Sequence, residues 1–98
     1  MKLEDGRKMI DAIDTDILIL LNRRAQISRR IGSLKCQAGL PIVDSDREQN
    51  VIGRILRESE GDIGDRALVE IYREILRESR RIQTVVAAEA AHNVEQCQ

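Results

Sequence analysis

The sequence predicts an all-α protein of three helices, one long, one short and one of medium length. Apolar residues recur at spacings of three and four along most of the chain, which is the pattern of amphipathic helices. The single proline, Pro41, and a loop with two glycines at residues 60–64 divide this pattern into three segments. With 98 residues and no internal repeat, the chain is expected to form one domain, residues 1–98, without strands.

The first helix is predicted over about residues 5–38, where no proline interrupts the periodicity. At about 1.5 Å per residue it would be a rod of about 50 Å, whereas a compact domain of this length has a radius of gyration of about 13 Å. Such a rod cannot bury its apolar face within its own chain, so we expect a partner, most economically a second copy. We call this face the apolar stripe, and it consists of Ile10, Ile13, Ile17, Leu20, Leu21, Ile27, Ile31 and Leu34.

The second helix is predicted over about residues 45–59. Gly39 and Pro41 end the first helix, because glycine is common just after a helix and proline cannot continue one. Ser45 and Glu48 fit the S-x-x-E capping box, which marks the start of the second helix.

The third helix is predicted over about residues 65–91, with Asp65 as its N-terminal cap after the loop. Residues 92–98 are expected to form a disordered tail. The apolar side of this helix contains Leu68, Ile71, Tyr72, Ile75, Leu76, Ile82 and Val86.

The overall composition argues against several classes of partner. The formal net charge is −1, so no global field attracts nucleic acid or a membrane surface. Tyr72 is the only aromatic residue, which argues against base-stacking platforms. No segment approaches the roughly 20 apolar residues of a membrane span.

The N-terminal residues and the cysteines indicate a cytoplasmic protein. The N-terminus has no apolar run of the kind found in a secretory signal. Cys36 and Cys97 make no metal-binding pattern, and the single His92 has no second ligand at a suitable spacing. We therefore expect free thiols and no metal site.

Two cations interrupt the apolar stripe. Arg24 and Lys35 are eleven residues apart, so they point within about 20° of each other on the helix. Each one alone could extend to the edge of an interface or pair with an internal carboxylate. Together they are typical of a receptor for an anion, because two cations on an apolar face are costly without one.

Polar residues also interrupt the apolar faces of the other helices. Glu48 opens the apolar face of the second helix, and Ser79 and Gln83 lie four residues apart in the third. A capping role for Glu48 and a backbone hydrogen bond for Ser79 are the ordinary alternatives. With the two cations, this set suits a small hydroxylated ligand that carries carboxylates. It contains no nucleophile–base pair, so an enzyme of this kind would hold and polarise its substrate.

Arg7 points away from the face that carries Arg24. It lies seventeen residues earlier, a rotation of about 100°. In an antiparallel pair of long helices it could reach the partner's pocket. From geometry alone, however, an arginine exposed to solvent is the better interpretation.

These polar residues and their neighbours form an ordered pattern over about residues 5–88. The pattern consists of Arg7-x5-Ile13-Asp14, Arg23-Arg24, Gly32-x2-Lys35, Pro41-x2-Asp44-x2-Arg47-Glu48 and Ser79-x3-Gln83. It resembles the all-helical, AroQ-class chorismate mutases. The resemblance implies an intertwined helical homodimer whose long first helices span both subunits. It also implies the Claisen rearrangement of chorismate to prephenate, a step of phenylalanine and tyrosine biosynthesis, without a cofactor.

The resemblance assigns the following roles near the reacting bond. Arg24 and Arg7 of the partner subunit would grip the two substrate carboxylates. Lys35 would bind a carboxylate and, with Gln83, would hydrogen-bond the ether oxygen whose bond to carbon breaks.

The remaining roles concern the ring hydroxyl and the carboxylates. Glu48 and the backbone near Asp44 would hold the ring hydroxyl. Arg47 and Ser79 would support the carboxylates, directly or through water.

Two alternatives remain at this point. An isochorismate-pyruvate lyase has a similar fold and the same cationic side chains. That lineage lacks the glutamate that stands here as Glu48. The second alternative is a non-catalytic helical dimerisation or regulatory module, in which buried polar residues only fix the register of the helices.

Overall fold

The computed structural model describes residues 1–92. Within that range it contains three α-helices and no strand: α1 spans Leu3–Ala38, α2 spans Ser45–Glu58 and α3 spans Asp65–His92. The all-α class and the order of a long, a short and a medium helix are confirmed. The predicted tail lies outside the described residues, except for its first residue, which is the last helical residue of α3.

The C-terminus of α1 is closed by Gly39 as predicted. This glycine has φ 67° and ψ 26°, the left-handed conformation that favours glycine. Its N–H donates to the carbonyl of Cys36 at 3.3 Å, and the N–H of Leu40 donates to the carbonyl of Lys35 at 2.8 Å. These bonds satisfy carbonyls that have no partner inside the helix.

The N-terminus of α2 differs from the predicted capping box. The cap is Asp44, whose Oδ1 accepts the backbone N–H of Arg47 at 3.0 Å, and Ser45 is already helical. The prediction of a Ser45–Glu48 box was therefore wrong, because an aspartate one residue earlier takes the cap. The side chain of Glu48 is left available for a contact with α3.

The helix α3 is the central element, since it packs against α1 and against α2. The apolar core is small and consists of Val51 from α2 and Leu68, Leu76 and Val86 from α3. Only two residues of α1 are buried, and both are small: Ser28 and Gly32.

The apolar stripe of α1 is exposed in the single chain. Its eight residues are between 38% and 62% exposed. The chain measures 59 × 26 × 15 Å and has a radius of gyration of 17.3 Å, well above the roughly 13 Å of a compact domain of this length. An exposed apolar face of this length is unusual for a monomeric soluble protein.

None of the helices in residues 1–92 combines the length and the apolar character that crossing a membrane requires.

Gly32 permits the closest approach of α1 to α3. A Cβ atom at this position would lie 2.9 Å from the Cα of Gln83 and 3.2 Å from its carbonyl oxygen. Because both neighbours are backbone atoms, the helices could accept a larger residue only by moving apart.

We predict that Gly32→Ala destabilises the protein by about 1–3 kcal/mol, since overpacking outweighs the gain in helix propensity. The matched control is Gly53→Ala in α2, where the Cβ would meet only the flexible end of Arg57 at 3.3 Å. That variant should be stabilised by up to about 1 kcal/mol. Urea unfolding at one fixed protein concentration measures both, and equal effects of the two substitutions would contradict the close contact.

Candidate functional site

A buried amide on α3 meets the lysine near the end of α1. The ammonium of Lys35 donates to Oε1 of Gln83 at 2.9 Å and to the carbonyl oxygen of Ile42 at 2.7 Å. Gln83 is only 7% exposed, and Lys35 is half-buried. Lysine can only donate hydrogen bonds, so the amide turns its oxygen toward Lys35 and its nitrogen away.

The same amide continues a chain of hydrogen bonds toward the middle of α1. Nε2 of Gln83 donates to Oγ of Ser79 at 3.3 Å, and Ser79 shares a 2.6 Å hydrogen bond with Ser28. Because Ser79 accepts from Gln83, its own hydrogen can go to Ser28, which is 3% exposed. Lys35, Gln83, Ser79 and Ser28 thus form one polar chain between α1 and α3.

Arg24 faces a cavity that adjoins this polar chain. The cavity has a volume of about 570 Å³ and lies between α1 and α3. Arg24, Ser28 and Ser79 contribute to its wall, together with the carboxylates of Glu74 and Glu78. The rest of the wall is Ile17, Leu21, Asn22, Ala25, Ile71, Ile75 and Ile82. Arg24 is the one cation among the residues of this wall.

The lysine also lies beside the connection between α1 and α2. Lys35 and Asp44 line a smaller cavity of about 350 Å³. The rest of this cavity is formed by Leu40, Pro41, Val43, Ser45 and Asp46.

Glu48, on α2, contacts α3 through an arginine. Its Oε2 lies 3.3 Å from Nε of Arg80, and both residues line a cavity of about 560 Å³ between α2 and α3. The single chain therefore distributes the predicted site residues over neighbouring cavities. Gln83 contacts both Lys35 and Ser79, whereas Arg24 and Glu48 line two separate cavities.

Two predicted site residues, Arg7 and Arg47, lie away from the polar chain and from the cavities described above. Arg7 is exposed near the start of α1, about 25 Å along the helix from Arg24. The side chain of Arg47 is exposed at the start of α2, where its backbone N–H donates to Asp44.

The two groups of an exposed ion pair on α3, Glu78 and Arg81, have shifted pKa values. A hydrogen bond from Arg81 lowers the pKa of Glu78, and the same bond raises the pKa of Arg81. Both side chains are more than half exposed, so water screens the pair.

A family model described as chorismate mutase type II matches residues 6–84. The chain belongs to the chorismate mutase type II family. The family resemblance predicted from the sequence is confirmed, and it places the chain in a family of isomerases. All of the predicted site residues lie inside the matched range.

Known proteins that are similar to this chorismate mutase family member include the following three. A bifunctional chorismate mutase/prephenate dehydratase from Aquifex aeolicus is 46% identical over 79 residues, which are 76% of this chain and 22% of that protein. The chorismate mutase of Methanocaldococcus jannaschii is 30% identical, and the match covers 84% of each chain. A solved structure of a conserved hypothetical protein from Pyrococcus furiosus has a TM-score of 0.70 and 36% identity, covering 83% of this chain and 93% of that one.

The chain thus spans about a fifth of the Aquifex relative and most of the Methanocaldococcus relative.

Two residues of this chorismate mutase family member, Ser28 and Arg80, contact predicted site residues but were not predicted from the sequence. Ser28 lies four residues after Arg24 and seven before Lys35, so helical spacing alone could have placed it on the same face. Arg80 gave no such signal, because an arginine beside a polar stretch is usually exposed to solvent. Its pairing with Glu48 depends on how α2 lies against α3.

We predict that Ser28→Ala lowers the free energy of unfolding by about 1–2 kcal/mol, because the hydroxyl of Ser79 loses its partner in a buried site. The control is Thr84→Ala, which removes an exposed hydrogen bond to the carbonyl of Arg80 and should cost less than about 0.5 kcal/mol. Urea unfolding at equal protein concentrations compares them. A smaller loss for Ser28→Ala than for Thr84→Ala would contradict a buried hydroxyl pair.

Proposed function

We propose that the chain is a chorismate mutase that rearranges chorismate to prephenate without covalent catalysis. Membership of the chorismate mutase type II family supports the reaction. The observation that carries the proposal is the contact of the Lys35 ammonium with the buried amide of Gln83 at 2.9 Å. It brings together a half-buried cation and a buried amide donor.

The chemistry of the rearrangement explains why these two groups are suited to it. As the bond between the ether oxygen and carbon opens, negative charge develops on that oxygen. A cation and an N–H donor fixed beside it stabilise the transition state more than the substrate. Nε2 of Gln83 carries two hydrogens and Ser79 accepts one of them, so the second is available to the ether oxygen.

The remaining polar residues would bind the ends of the substrate. Arg24 and Arg7 of the partner subunit would grip the carboxylates, with Arg47 and Ser79 in support. Glu48 and the backbone near Asp44 would hold the ring hydroxyl.

Holding both ends of the substrate would contribute to the rate. It would keep the flexible side chain over the ring before reaction and so remove conformational freedom. A rate acceleration of about 10⁶ needs about 8 kcal/mol, and a few shielded charged contacts with such preorganisation can supply it.

The proposed enzyme is an intertwined homodimer. The exposure of the whole apolar stripe supports a second copy, whose α1 would cover it. Arg7 and Arg24 are about 25 Å apart on one helix, so they can serve one small-molecule site only if they come from different chains. The partner's α1 would add a wall to the cavities that Arg24 and Lys35 line.

The proposed reaction belongs to phenylalanine and tyrosine biosynthesis. It uses chorismate as its small-molecule substrate and requires no cofactor. A cytoplasmic location stays a prediction.

We expect the purified protein to consume chorismate and form prephenate, and Lys35→Ala to lower kcat at least about 100-fold while the variant remains a folded dimer. The reason is that the substitution removes the cation beside the ether oxygen. Loss of chorismate absorbance with identification of the product measures this. Lys8→Ala, an exposed lysine of α1, is the matched control and should retain the wild-type rate.

Each alternative gives a different result in that experiment. Release of pyruvate from isochorismate, supplied in a parallel assay, would favour the lyase. An unchanged rate in Lys35→Ala would refute the catalytic role of this lysine. Altered assembly of Lys35→Ala, with no turnover by the wild type, would favour a helical dimerisation module.

The shared site predicts that two inactive variants restore each other. Arg7→Ala and Lys35→Ala should each be nearly inactive as homodimers. After co-refolding in equal amounts, half of the dimers contain one chain of each kind, and one of the two sites in such a dimer carries neither change. The mixture should therefore recover about a quarter of the wild-type activity. Mixed dimers that form without any recovery would contradict the contribution of Arg7 across the interface.

A further inference from the structure

An ion pair between Glu48 and Arg80 joins α2 to α3. Oε2 of Glu48 lies 3.3 Å from Nε of Arg80, and their side chains are 26% and 40% exposed. The Nε atom itself is shielded from solvent and has no well-aligned hydrogen-bond acceptor in the part of the chain that the structure describes. Glu48 therefore lies within ion-pair distance of a shielded donor, although the two atoms are not aligned for a hydrogen bond.

This pair differs from the arginine–glutamate pairs that lie within α3. Arg66–Glu70, Arg77–Glu74 and Arg81–Glu78 each join neighbours on one helix, and all of these side chains are more than half exposed. Among residues 1–92, the Glu48–Arg80 pair is the one ion pair that connects α2 with α3. It therefore fixes a side chain of the site relative to the helix that carries Gln83.

The surroundings of Glu48 show why its orientation needs fixing. Glu48 is the one carboxylate in the wall of the cavity of about 560 Å³, and the wall contains three arginines, Arg73, Arg77 and Arg80. A glutamate side chain has several rotatable bonds and could turn toward any of these cations. Arg80 lies three residues before Gln83, so the two side chains leave neighbouring positions on the surface of α3.

We propose that Arg80 is a positioning residue that orients Glu48 for the ring hydroxyl of the substrate. Arg80 takes Oε2 of Glu48, and Oε1 remains as the acceptor for the hydroxyl hydrogen. This inference rests on the proposed function, because it assigns a partner to a residue of that site. Without the arginine, the carboxylate turns toward the other cations of the cavity, and the substrate ring loses its fixed position.

The first experiment compares arginines that differ only in their place on α3. Arg80→Leu should lower kcat for chorismate about tenfold with a smaller change in KM, and Arg80→Lys should recover most of the loss. Arg77→Leu changes the same cavity but removes a partner of Glu74. Arg81→Leu removes the exposed pair with Glu78. Both controls should stay within about twofold of the wild type.

The second experiment is a double-mutant cycle with Glu48→Gln. If Arg80 acts through Glu48, adding Arg80→Leu to Glu48→Gln should lower kcat by less than about twofold further. A full tenfold loss in both backgrounds would overturn the inference, because the arginine would then act independently of the carboxylate. Circular dichroism checks the folding of each variant, and Arg80→Gln provides the same comparison if the leucine variant unfolds.

The outcomes separate this inference from the proposed function. If the wild type turns over chorismate and Glu48→Gln is impaired, but Arg80→Leu behaves like Arg81→Leu, only the role of Arg80 is refuted. If the wild type does not turn over chorismate, the proposed function is refuted and the role of Arg80 with it.

Discussion

The contact of α1 with α3 at Gly32 is the constraint on which the site depends. The backbone of Gln83 occupies the space that a side chain at position 32 would need. One turn before Gly32, Ser28 reaches Ser79 at 2.6 Å, and three residues after it, Lys35 reaches the amide of Gln83 at 2.9 Å. These short polar contacts are possible only because the helices are so close. The glycine therefore sets the geometry of the polar chain without taking part in it.

As a result of this arrangement, α1 contributes little to the apolar core of the chain. The buried residues of α1 are a serine and a glycine, and its large apolar side chains remain exposed. Burial of such side chains is the main favourable term in folding. Covering the apolar stripe with a second copy would complete the core and the proposed site in one step. Stability and activity would then both depend on assembly.

The sequence predicted the helices better than the contacts between them. Periodicity and the pair Gly39 and Pro41 define α1 because those signals act within a few residues. The cap of α2 was misassigned because Asp44 and Ser45 are both good caps, and only the backbone conformation selects one of them. The pairing of Glu48 with Arg80 could not be predicted, since it joins residues of two helices whose relative position the sequence does not state.

The polar side chains of the candidate site already contact other protein groups in the absence of a ligand. Lys35 is held by Gln83 and the carbonyl of Ile42, and Glu48 is held by Arg80. These side chains therefore lose part of their hydration when the chain folds, and a ligand would exchange protein contacts for its own. Fixed groups that need little rearrangement are the ones that stabilise a developing charge most effectively. A site of this kind can accelerate a rearrangement within one molecule without a nucleophile, because orientation and electrostatics are all that the reaction demands.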